Sequence, residues 1–186
     1  LVQGAKVAEF EELFAAYHNS RNAIATSNGT TALTTALLAV GVQPGDEVII
    51  PSFTFAATAT SVLSARATPV FVDVKPDTFC IDPDLIEAAI TPRTKAIMPV
   101  HLYGQLADMD RVAAIAAQHG LALVEDAAQS HGAKIAGPDG DRYAGSWGAA
   151  CFSFYPSKNM STGEGGMVLT QDDAVAERAR MVRNHG

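Results

Sequence analysis

Hydrophobic and polar positions along this chain follow two alternating spacings. Val7, Phe10, Leu13, Phe14 and Tyr17 recur every three or four residues, which predicts an amphipathic helix over residues 6–18. Further helices are predicted at residues 30–40, 55–65, 83–90, 108–119 and 172–183. In the last of these, Val175, Ala179 and Val182 recur at helical spacing and need an apolar neighbour, so we expect part of its packing surface to be missing.

Between the predicted helices lie short apolar runs rich in β-branched residues, at Glu47–Ile50, Val70–Val74, Ala96–Val100, Leu121–Glu125 and Ala150–Phe154. Strands that are apolar throughout and alternate with helices indicate a mostly parallel sheet covered by helices on both faces. We therefore expect a single α/β domain. In such sheets ligands bind at the carboxyl ends of the strands, so the residues that follow each strand are the candidates for a site.

Composition and charge exclude several classes of protein. The 186 residues are 48% hydrophobic and 18% charged, which is typical of an ordinary globular protein. A net charge of −7 makes a nucleic-acid partner improbable, since such proteins carry a basic face. Two cysteines are too few for a disulfide framework or a zinc cluster, so we expect no metal site and a reducing, cytoplasmic location. No signal peptide is visible, and no apolar stretch approaches the ~18 residues that span a bilayer.

Two charged residues follow predicted strands. Asp126 comes directly after Leu121–Glu125, where it either caps a turn or helix or pairs with a positively charged ligand nitrogen. Lys158 lies in a polar, glycine-rich loop after Ala150–Phe154, where a lysine can lose its proton and act as a nucleophilic amine. The other four lysines fall on predicted helix or turn positions that are typical of solvated side chains.

Two further segments complete a candidate site. Ser27–Ala32 begins a predicted helix, and a helix N-terminus suits a phosphate group. Pro51–Phe55 follows a strand with aromatic residues that either join the core or present a flat face to a planar ligand. The glycine fingerprint of dinucleotide-binding folds and the P-loop motif are both missing. A phosphate anchor, an aromatic face, a buried carboxylate and a late lysine together indicate a site for pyridoxal 5′-phosphate (PLP).

Six blocks of this sequence closely resemble the DegT/DnrJ/EryC1/StrS aminotransferases, which are PLP enzymes of fold type I that mostly act on nucleotide-linked keto sugars. In chain order the blocks are SNGTTAL (27–33), PSFTFAAT (51–58), HLYGQLADMD (101–110), EDAAQSHG (125–132), FSFYPSKN (152–159) and GEGG (163–166). The resemblance covers essentially all 186 residues. It implies transfer of an amino group from glutamate or glutamine to the keto group of a nucleotide-linked deoxysugar, for polysaccharide or antibiotic biosynthesis.

The resemblance also implies roles for individual residues. Lys158 would form the Schiff base with PLP, Asp126 would bind the pyridine nitrogen, and Gln129 would lie near the ring oxygen. Gly29, Thr30 and Ser153 would hold the phosphate, and Phe55 would stack on the ring. It implies a seven-stranded sheet and a homodimer with shared active sites. Residues 1–186 would then be the large PLP-binding domain of a longer chain that has a small C-terminal domain.

Three alternatives to the aminotransferase remain open from the sequence. A PLP-dependent sugar dehydratase uses the same scaffold, although relatives of that kind carry histidine in place of the lysine. The others are an oxidoreductase that binds a pterin or nucleotide, and a non-catalytic binding or regulatory module. Individual side chains are also undecided: His101 and His131 either touch substrate or only pack, whereas Tyr103 and Trp147 are expected to pack and Cys151 to be an inert buried thiol.

Overall fold

A computed structural model describes residues 3–138 and 140–184 of the chain. Six α-helices lie in these ranges: α1 (Ala5–Tyr17), α2 (Gly29–Ala39), α3 (Ala56–Ser64), α4 (Pro83–Ile86), α5 (Met109–His119) and α6 (Asp173–Arg183). The strands of the same ranges are β1 (Asn22–Thr26), β2 (Glu47–Pro51), β3 (Thr68–Val72), β4 (Thr94–Ile97), β5 (Ala122–Asp126), β6 (Lys134–Gly137), β7 (Gly140–Tyr143), β8 (Ala149–Ser153) and β9 (Gly166–Thr170).

Seven of these strands form one sheet in the order β1-β9-β8-β5-β4-β2-β3. The five from β3 to β8 in this order run parallel, and β9 runs antiparallel to its neighbours β8 and β1. Strands β6 and β7 pair separately as a hairpin. Parallel neighbours need crossover connections, and these contain helices except between β5 and β8, where the chain passes through the β6–β7 hairpin. The predicted mostly parallel seven-stranded sheet between helices is confirmed.

Helices bury both faces of this sheet. In β2, Val48 and Ile50 join a cluster with α2, α3 and α6, whereas Ile49 packs on the other face with residues of α4 and α5. Phe14 of α1 packs edge-on against Phe152 of β8 and extends the cover of that second face. This arrangement explains why the central strands are apolar at every position, because neither of their faces meets water.

The sequence pattern located the parallel strands but not the antiparallel edge. The five predicted strands are present close to their expected positions, whereas β1 and β9 were not predicted. Strand β1 is alanine-rich and lacks a β-branched run, so its extended conformation depends on pairing with β9. The helix predicted at residues 83–90 is shorter than expected, since α4 ends at Ile86 and a 3₁₀ turn follows over Glu87–Ala89.

The last helix was expected to lack part of its packing surface, and the structure leaves a smaller part of it exposed than the three apolar positions suggested. Val175 and Ala179 are buried in the same cluster as α2 and the sheet. Val182 alone of the three predicted positions stays 39% exposed. The neighbour that this helix needs is therefore supplied by α2, which the sequence pattern could not identify.

Within residues 3–138 and 140–184, no helix has both the length and the apolar character that a membrane span requires.

Candidate active site

A cavity of about 460 Å³ opens beside the N-terminus of α2 and the carboxyl ends of β5 and β8. This volume is within the range of about 300–1,000 Å³ that is usual for small-molecule sites. The structure brings all seven site residues predicted from the sequence to its wall: Gly29, Thr30, Phe55, Asp126, Gln129, Ser153 and Lys158. Segments far apart in sequence thus meet at the edge of the sheet where the topology predicts a ligand.

The N-terminus of α2 forms one wall of the cavity. Asn28 caps the helix, and its Oδ1 accepts hydrogen bonds from the Thr31 N–H at 2.8 Å and the Thr31 hydroxyl at 2.9 Å. Helix geometry leaves the N–H groups of Gly29 and Thr30 without intrahelical acceptors. These donors and the positive end of the helix dipole favour an anion at this position.

Gly29 allows this helix end to approach the end of β8 closely. A Cβ atom added to Gly29 would lie only 2.7 Å from Cβ of Ser153 and 3.2 Å from its Oγ. Carbon atoms in van der Waals contact are separated by roughly 3.5–4.0 Å, so any larger residue would push the two segments apart. The missing side chain therefore keeps the helix N–H groups and the Ser153 hydroxyl together as one cradle.

Asp126 ends β5 and is 6% exposed. Its backbone is held on both sides, because its N–H donates to the Pro99 carbonyl and its own carbonyl accepts from the His101 N–H, each at 2.9 Å. Its carboxylate accepts from the Thr58 hydroxyl at 2.7 Å, through Oδ2, and from the Ala128 N–H at 3.2 Å, through Oδ1. The side chain is therefore fixed at the cavity wall.

Burial sets the electrostatics of this carboxylate. Desolvation raises the pKa of Asp126, while the hydrogen bonds from Thr58 and Ala128 and the charge of Lys158 act to lower it. A buried carboxylate gains most from a cationic partner that replaces its lost hydration. A protonated ring nitrogen in the cavity would be such a partner.

Gln129 is oriented by a main-chain contact that the sequence did not reveal. Its Oε1 accepts a hydrogen bond from the Tyr103 N–H at 2.8 Å, which leaves its Nε2 free to donate to a ligand. Tyr103 adopts a left-handed backbone conformation with φ of 56°. Its side chain is 71% exposed, so the expectation that Tyr103 packs in the core is wrong.

Phe55 presents its ring to solvent at the cavity wall. It precedes the first turn of α3 and is 72% exposed. A phenylalanine with so little packing is not a core residue, so the first of the two alternatives for the Pro51–Phe55 aromatics does not hold for this side chain. Its face is available to a planar ligand.

Lys158 lies half-buried on the cavity wall in the turn that follows β8, where its N–H donates to the Tyr155 carbonyl at 2.9 Å. None of the other lysines in the described ranges lines this cavity. The expectation that all of them occupy helices or turns is wrong, since Lys95 lies in β4 and Lys134 in β6, although both are exposed.

His131 and Asn159 join the loop after β5 to the loop that carries Lys158. The Nδ1–H of His131 donates to Oδ1 of Asn159 at 3.2 Å. Burial lowers the pKa of the His131 imidazole, which favours its neutral form. His131 is absent from the cavity lining, so the structure supports its packing interpretation over direct substrate contact.

His101 is fully buried behind the cavity. Its Nδ1 accepts from the Ala107 N–H at 3.2 Å, so its Nε2 carries the proton and donates to Oε2 of Glu125 at 3.0 Å. Glu125 also accepts from the N–H groups of Gly145 and Gly148. The capping and packing alternative is therefore the one that the structure supports for His101. Cys151 is buried, as expected, and desolvation raises the pKa of its thiol.

Two threonines of the site were missed by the sequence interpretation. Thr58 is fully buried and bonds to Asp126, and Thr54 lines the cavity and lies 2.7 Å from Thr58, measured between the two Oγ1 atoms. The available signal was two hydroxyl residues four positions apart at the start of a helix that follows a buried strand. Thr54 lies in the loop just before α3 and Thr58 in the first turn of the helix.

The mostly parallel seven-stranded sheet, with a cavity at the carboxyl ends of its strands, is shared with structural neighbours that are fold type I aminotransferases. The model of the DegT/DnrJ/EryC1/StrS aminotransferase family matches residues 1–186, and the chain belongs to this family.

Three curated relatives illustrate the similarity. A pleiotropic regulatory protein of Geobacillus stearothermophilus is 52% identical over 100% of this chain and 49% of its own length. The GDP-perosamine synthase of Caulobacter vibrioides is 52% identical over 98% of this chain and 48% of its own. A UDP-2-acetamido-2-deoxy-3-oxo-D-glucuronate aminotransferase of Pseudomonas aeruginosa is 47% identical over 100% of this chain and 51% of its own length. The chain therefore spans about half the length of the curated relatives it matches.

Solved structures agree with this assignment. DesV of S. venezuelae superimposes with a TM-score of 0.94 and 48% identity over 100% of this chain and 49% of that one. NtdA of Bacillus subtilis, solved with its cofactor PMP bound, gives a TM-score of 0.89 and 40% identity over 97% of this chain and 40% of that one.

Proposed function

We propose that this chain is the PLP-binding large domain of an aminotransferase that moves an amino group from glutamate or glutamine to a keto group of a nucleotide-linked deoxysugar. The observation that carries the proposal is the meeting of three features on one cavity: the N-terminus of α2, the buried Asp126 carboxylate and the Lys158 amine. The relatives named as a GDP-perosamine synthase and a UDP-linked 3-oxo-sugar aminotransferase support the substrate class.

The residues present fit PLP. The cradle of Gly29, Thr30 and Ser153 would hold its phosphate, since the absent Cβ of Gly29 leaves helix N–H groups beside a serine hydroxyl. Asp126 would pair with the pyridine nitrogen and Nε2 of Gln129 would donate to the ring oxygen. The exposed ring of Phe55 would cover one face of the cofactor.

The chemistry is divided between cofactor and chain. When bound, PLP supplies an electron sink that stabilises negative charge at Cα of the amino donor. Asp126 would maintain the positive charge on the ring nitrogen, because an ionised carboxylate in a dry site favours the protonated form of its partner. The Lys158 amine would attach the cofactor covalently and, once released, would accept the proton from Cα of the donor.

The alternatives differ in how well the site supports them. The lysine at position 158 and the aminotransferase relatives favour amino transfer over sugar dehydration. A binding or regulatory role is a second candidate because the regulatory protein of Geobacillus stearothermophilus is 52% identical to this chain. Measurement of catalysis separates these two, since a regulatory module would bind the cofactor without turnover.

We further propose that the full-length protein has a small C-terminal domain, acts in the cytoplasm and forms a homodimer whose subunits share their active sites. Four exposed aromatic side chains support the dimer: Phe55 and Tyr155 line the cavity, and Phe53 and Tyr103 are next in sequence to residues that line it. Large apolar side chains that cluster on a surface mark interaction sites. The size of the relatives supports the additional domain, because this chain covers about half of each.

The test uses the full-length protein that contains this chain. Purified protein is incubated with PLP, glutamate or glutamine, and a panel of dTDP-, UDP- and GDP-linked keto sugars, and new amino sugars are detected by mass spectrometry. Treatment with borohydride should attach the cofactor to the peptide that contains Lys158. A matched control is Lys95→Ala, which removes an exposed lysine outside the cavity and should leave both readouts unchanged. Cofactor labelling at another lysine, or labelling without any amine transfer, would contradict the proposal.

A further inference from the structure

Two threonine hydroxyls lead from the edge of the cavity to the Asp126 carboxylate. Thr54 lines the cavity from the loop before α3, and Thr58, four residues later in the first turn of α3, is fully buried. The Thr58 hydroxyl donates its single proton to Oδ2 of Asp126 at 2.7 Å. It must therefore accept, not donate, in its 2.7 Å contact with the Thr54 hydroxyl. We call these two hydrogen bonds the relay. Both donate in the same direction, from the Thr54 hydroxyl to the Thr58 hydroxyl and from the Thr58 hydroxyl to the carboxylate.

This relay supplies a donor that nothing else replaces. Among residues 3–138 and 140–184, Thr58 is the side chain that donates to the Asp126 carboxylate, and the other donor is the Ala128 N–H at the longer distance of 3.2 Å. Hydrogen bonds to an ionised group are stronger than those between neutral groups, and they favour its charged form. A carboxylate at 6% exposure has little water to take the place of a lost donor.

We propose that Thr58 is a positioning residue that keeps the Asp126 carboxylate ionised and in a single orientation toward the ring nitrogen of the cofactor, and that Thr54 supports it. The inference rests on the proposed binding of PLP. It assigns to the start of α3 a role beyond placing Phe55 at the cavity. The hydroxyl acts through Asp126 and has no contact with the reacting atoms.

The groups that surround Asp126 determine how the proposal is tested. His101 after β4, Lys158 after β8 and Cys151 within β8 are the ionisable groups that interact electrostatically with its carboxyl group. Helix α3 contributes only the neutral Thr58. Loss of the hydroxyl therefore removes a stabiliser of the charged carboxylate without changing any formal charge around it. We expect Asp126 to bind its proton at higher pH in such a variant.

The experiment compares four variants of the full-length protein loaded with PLP. Thr58→Val removes the hydroxyl at nearly constant volume, and Thr58→Ser retains it. Thr54→Val removes the outer hydroxyl. Ser61→Ala is the matched control, because Ser61 is also a fully buried hydroxyl on α3 but donates to the Thr58 carbonyl, at 2.9 Å. The readouts are the pH dependence of the visible absorbance of bound PLP, the rate at which PLP dissociates, and the rate of the half-reaction with the amino donor alone.

Thr58→Val should slow the half-reaction about 10- to 100-fold, the loss expected for a hydrogen bond to a buried charge. The acid limb of the pH profile of the half-reaction rate should move to higher pH. The midpoint of the absorbance titration should move in the same direction. Thr58→Ser should behave like the wild type, and Ser61→Ala should move neither the absorbance titration nor the acid limb. Thr54→Val should also move the acid limb to higher pH, but by a smaller amount than Thr58→Val.

Several results would overturn the proposal. One is an unchanged acid limb and absorbance titration in folded Thr58→Val, and another is equal impairment of Thr58→Ser and Thr58→Val. If Thr58→Val does not fold by circular dichroism, Thr54→Val decides, and an unshifted acid limb in that variant overturns the relay. Failure of the proposed function is distinguishable, because the wild-type protein would then either show no visible band that borohydride removes or show that band without any half-reaction with the amino donor.

Discussion

Substitution of Gly29 by alanine should damage the phosphate cradle through a steric effect that the structure quantifies. The new Cβ would lie 2.7 Å from Cβ of Ser153 and 3.3 Å from its Cα. Relaxation to a contact of about 3.5–4.0 Å requires the α2 N-terminus and the end of β8 to separate by about 1 Å. Overpacking of this kind costs about 1–3 kcal/mol. The same displacement moves the Gly29 and Thr30 N–H groups away from the anion, so PLP affinity should fall at least about tenfold, which corresponds to about 1.4 kcal/mol.

Two measurements on the full-length protein test this reasoning. Urea denaturation of the apoprotein gives the free energy of unfolding, and titration of the visible absorbance gives PLP affinity. Gly4→Ala is the matched control, because an added Cβ there meets nothing within 4 Å. In the double variant Gly29→Ala/Ser153→Gly, removal of the opposing Cβ should restore stability beyond the sum of the two single changes. Wild-type stability and PLP affinity in Gly29→Ala would refute the steric argument.

Three other perturbations give separate predictions. Lys158→Ala should reduce amino transfer by several orders of magnitude, because the nucleophile and the proton acceptor are lost together; steady-state kinetics measures this. Asp126→Asn should lower PLP occupancy only modestly while it slows the half-reaction with the amino donor far more, as stopped-flow absorbance would show, because the amide retains a hydrogen bond but not the charge. The fully buried His18 has its pKa lowered from 6.5 to about 4, chiefly by desolvation. Since only the unfolded state binds a proton between these values, stability should be complete above pH 6.5 and fall by about 3 kcal/mol as the pH drops to 4.

Each of these predictions has a result that contradicts it. For Lys158→Ala this is turnover near the wild-type rate, and for Asp126→Asn it is an unchanged half-reaction. The His18 prediction compares urea denaturation of the wild type with His18→Gln across this pH range. The imidazole donates from Nδ1 to the Phe14 carbonyl and accepts at Nε2 from the Gly132 N–H, and glutamine can form hydrogen bonds without titrating. Equal pH dependence in both proteins would exclude His18 as the group responsible.

The parts of the fold that the sequence predicted are those whose signal is local. Alternation of apolar strands and amphipathic helices identified the parallel sheet, because the burial of each of those segments is visible in its own hydrophobic pattern. β1 and β9 were not predicted; β1 is held extended by its pairing with β9, in the register Ala23 with Leu169, and β9 pairs with both β1 and β8. The neighbour that covers Val175 and Ala179 of α6 was not identified, since α2 is distant in sequence.

The candidate site shows the same division between local and distant information. Residue type and position after a strand were enough to select Asp126 and Lys158, because strand ends of a parallel sheet converge on one edge. Family resemblance added Ser153 and Gln129. The contact of Thr58 with Asp126, the orientation of Gln129 by the Tyr103 main chain and the close approach of Gly29 to Ser153 were not predictable. Each of them joins segments that are not adjacent in sequence.

The sequence by itself therefore determined the class of fold, the edge of the sheet that carries the candidate site and the residue types that meet there. The tertiary structure decided which donors reach Asp126, which atom of the Gln129 amide faces the Tyr103 main chain and how little space separates α2 from β8. The physical reason is that periodicity records only whether a segment is buried. Distances between segments follow from strand order, register and side-chain packing, which are properties of the whole chain.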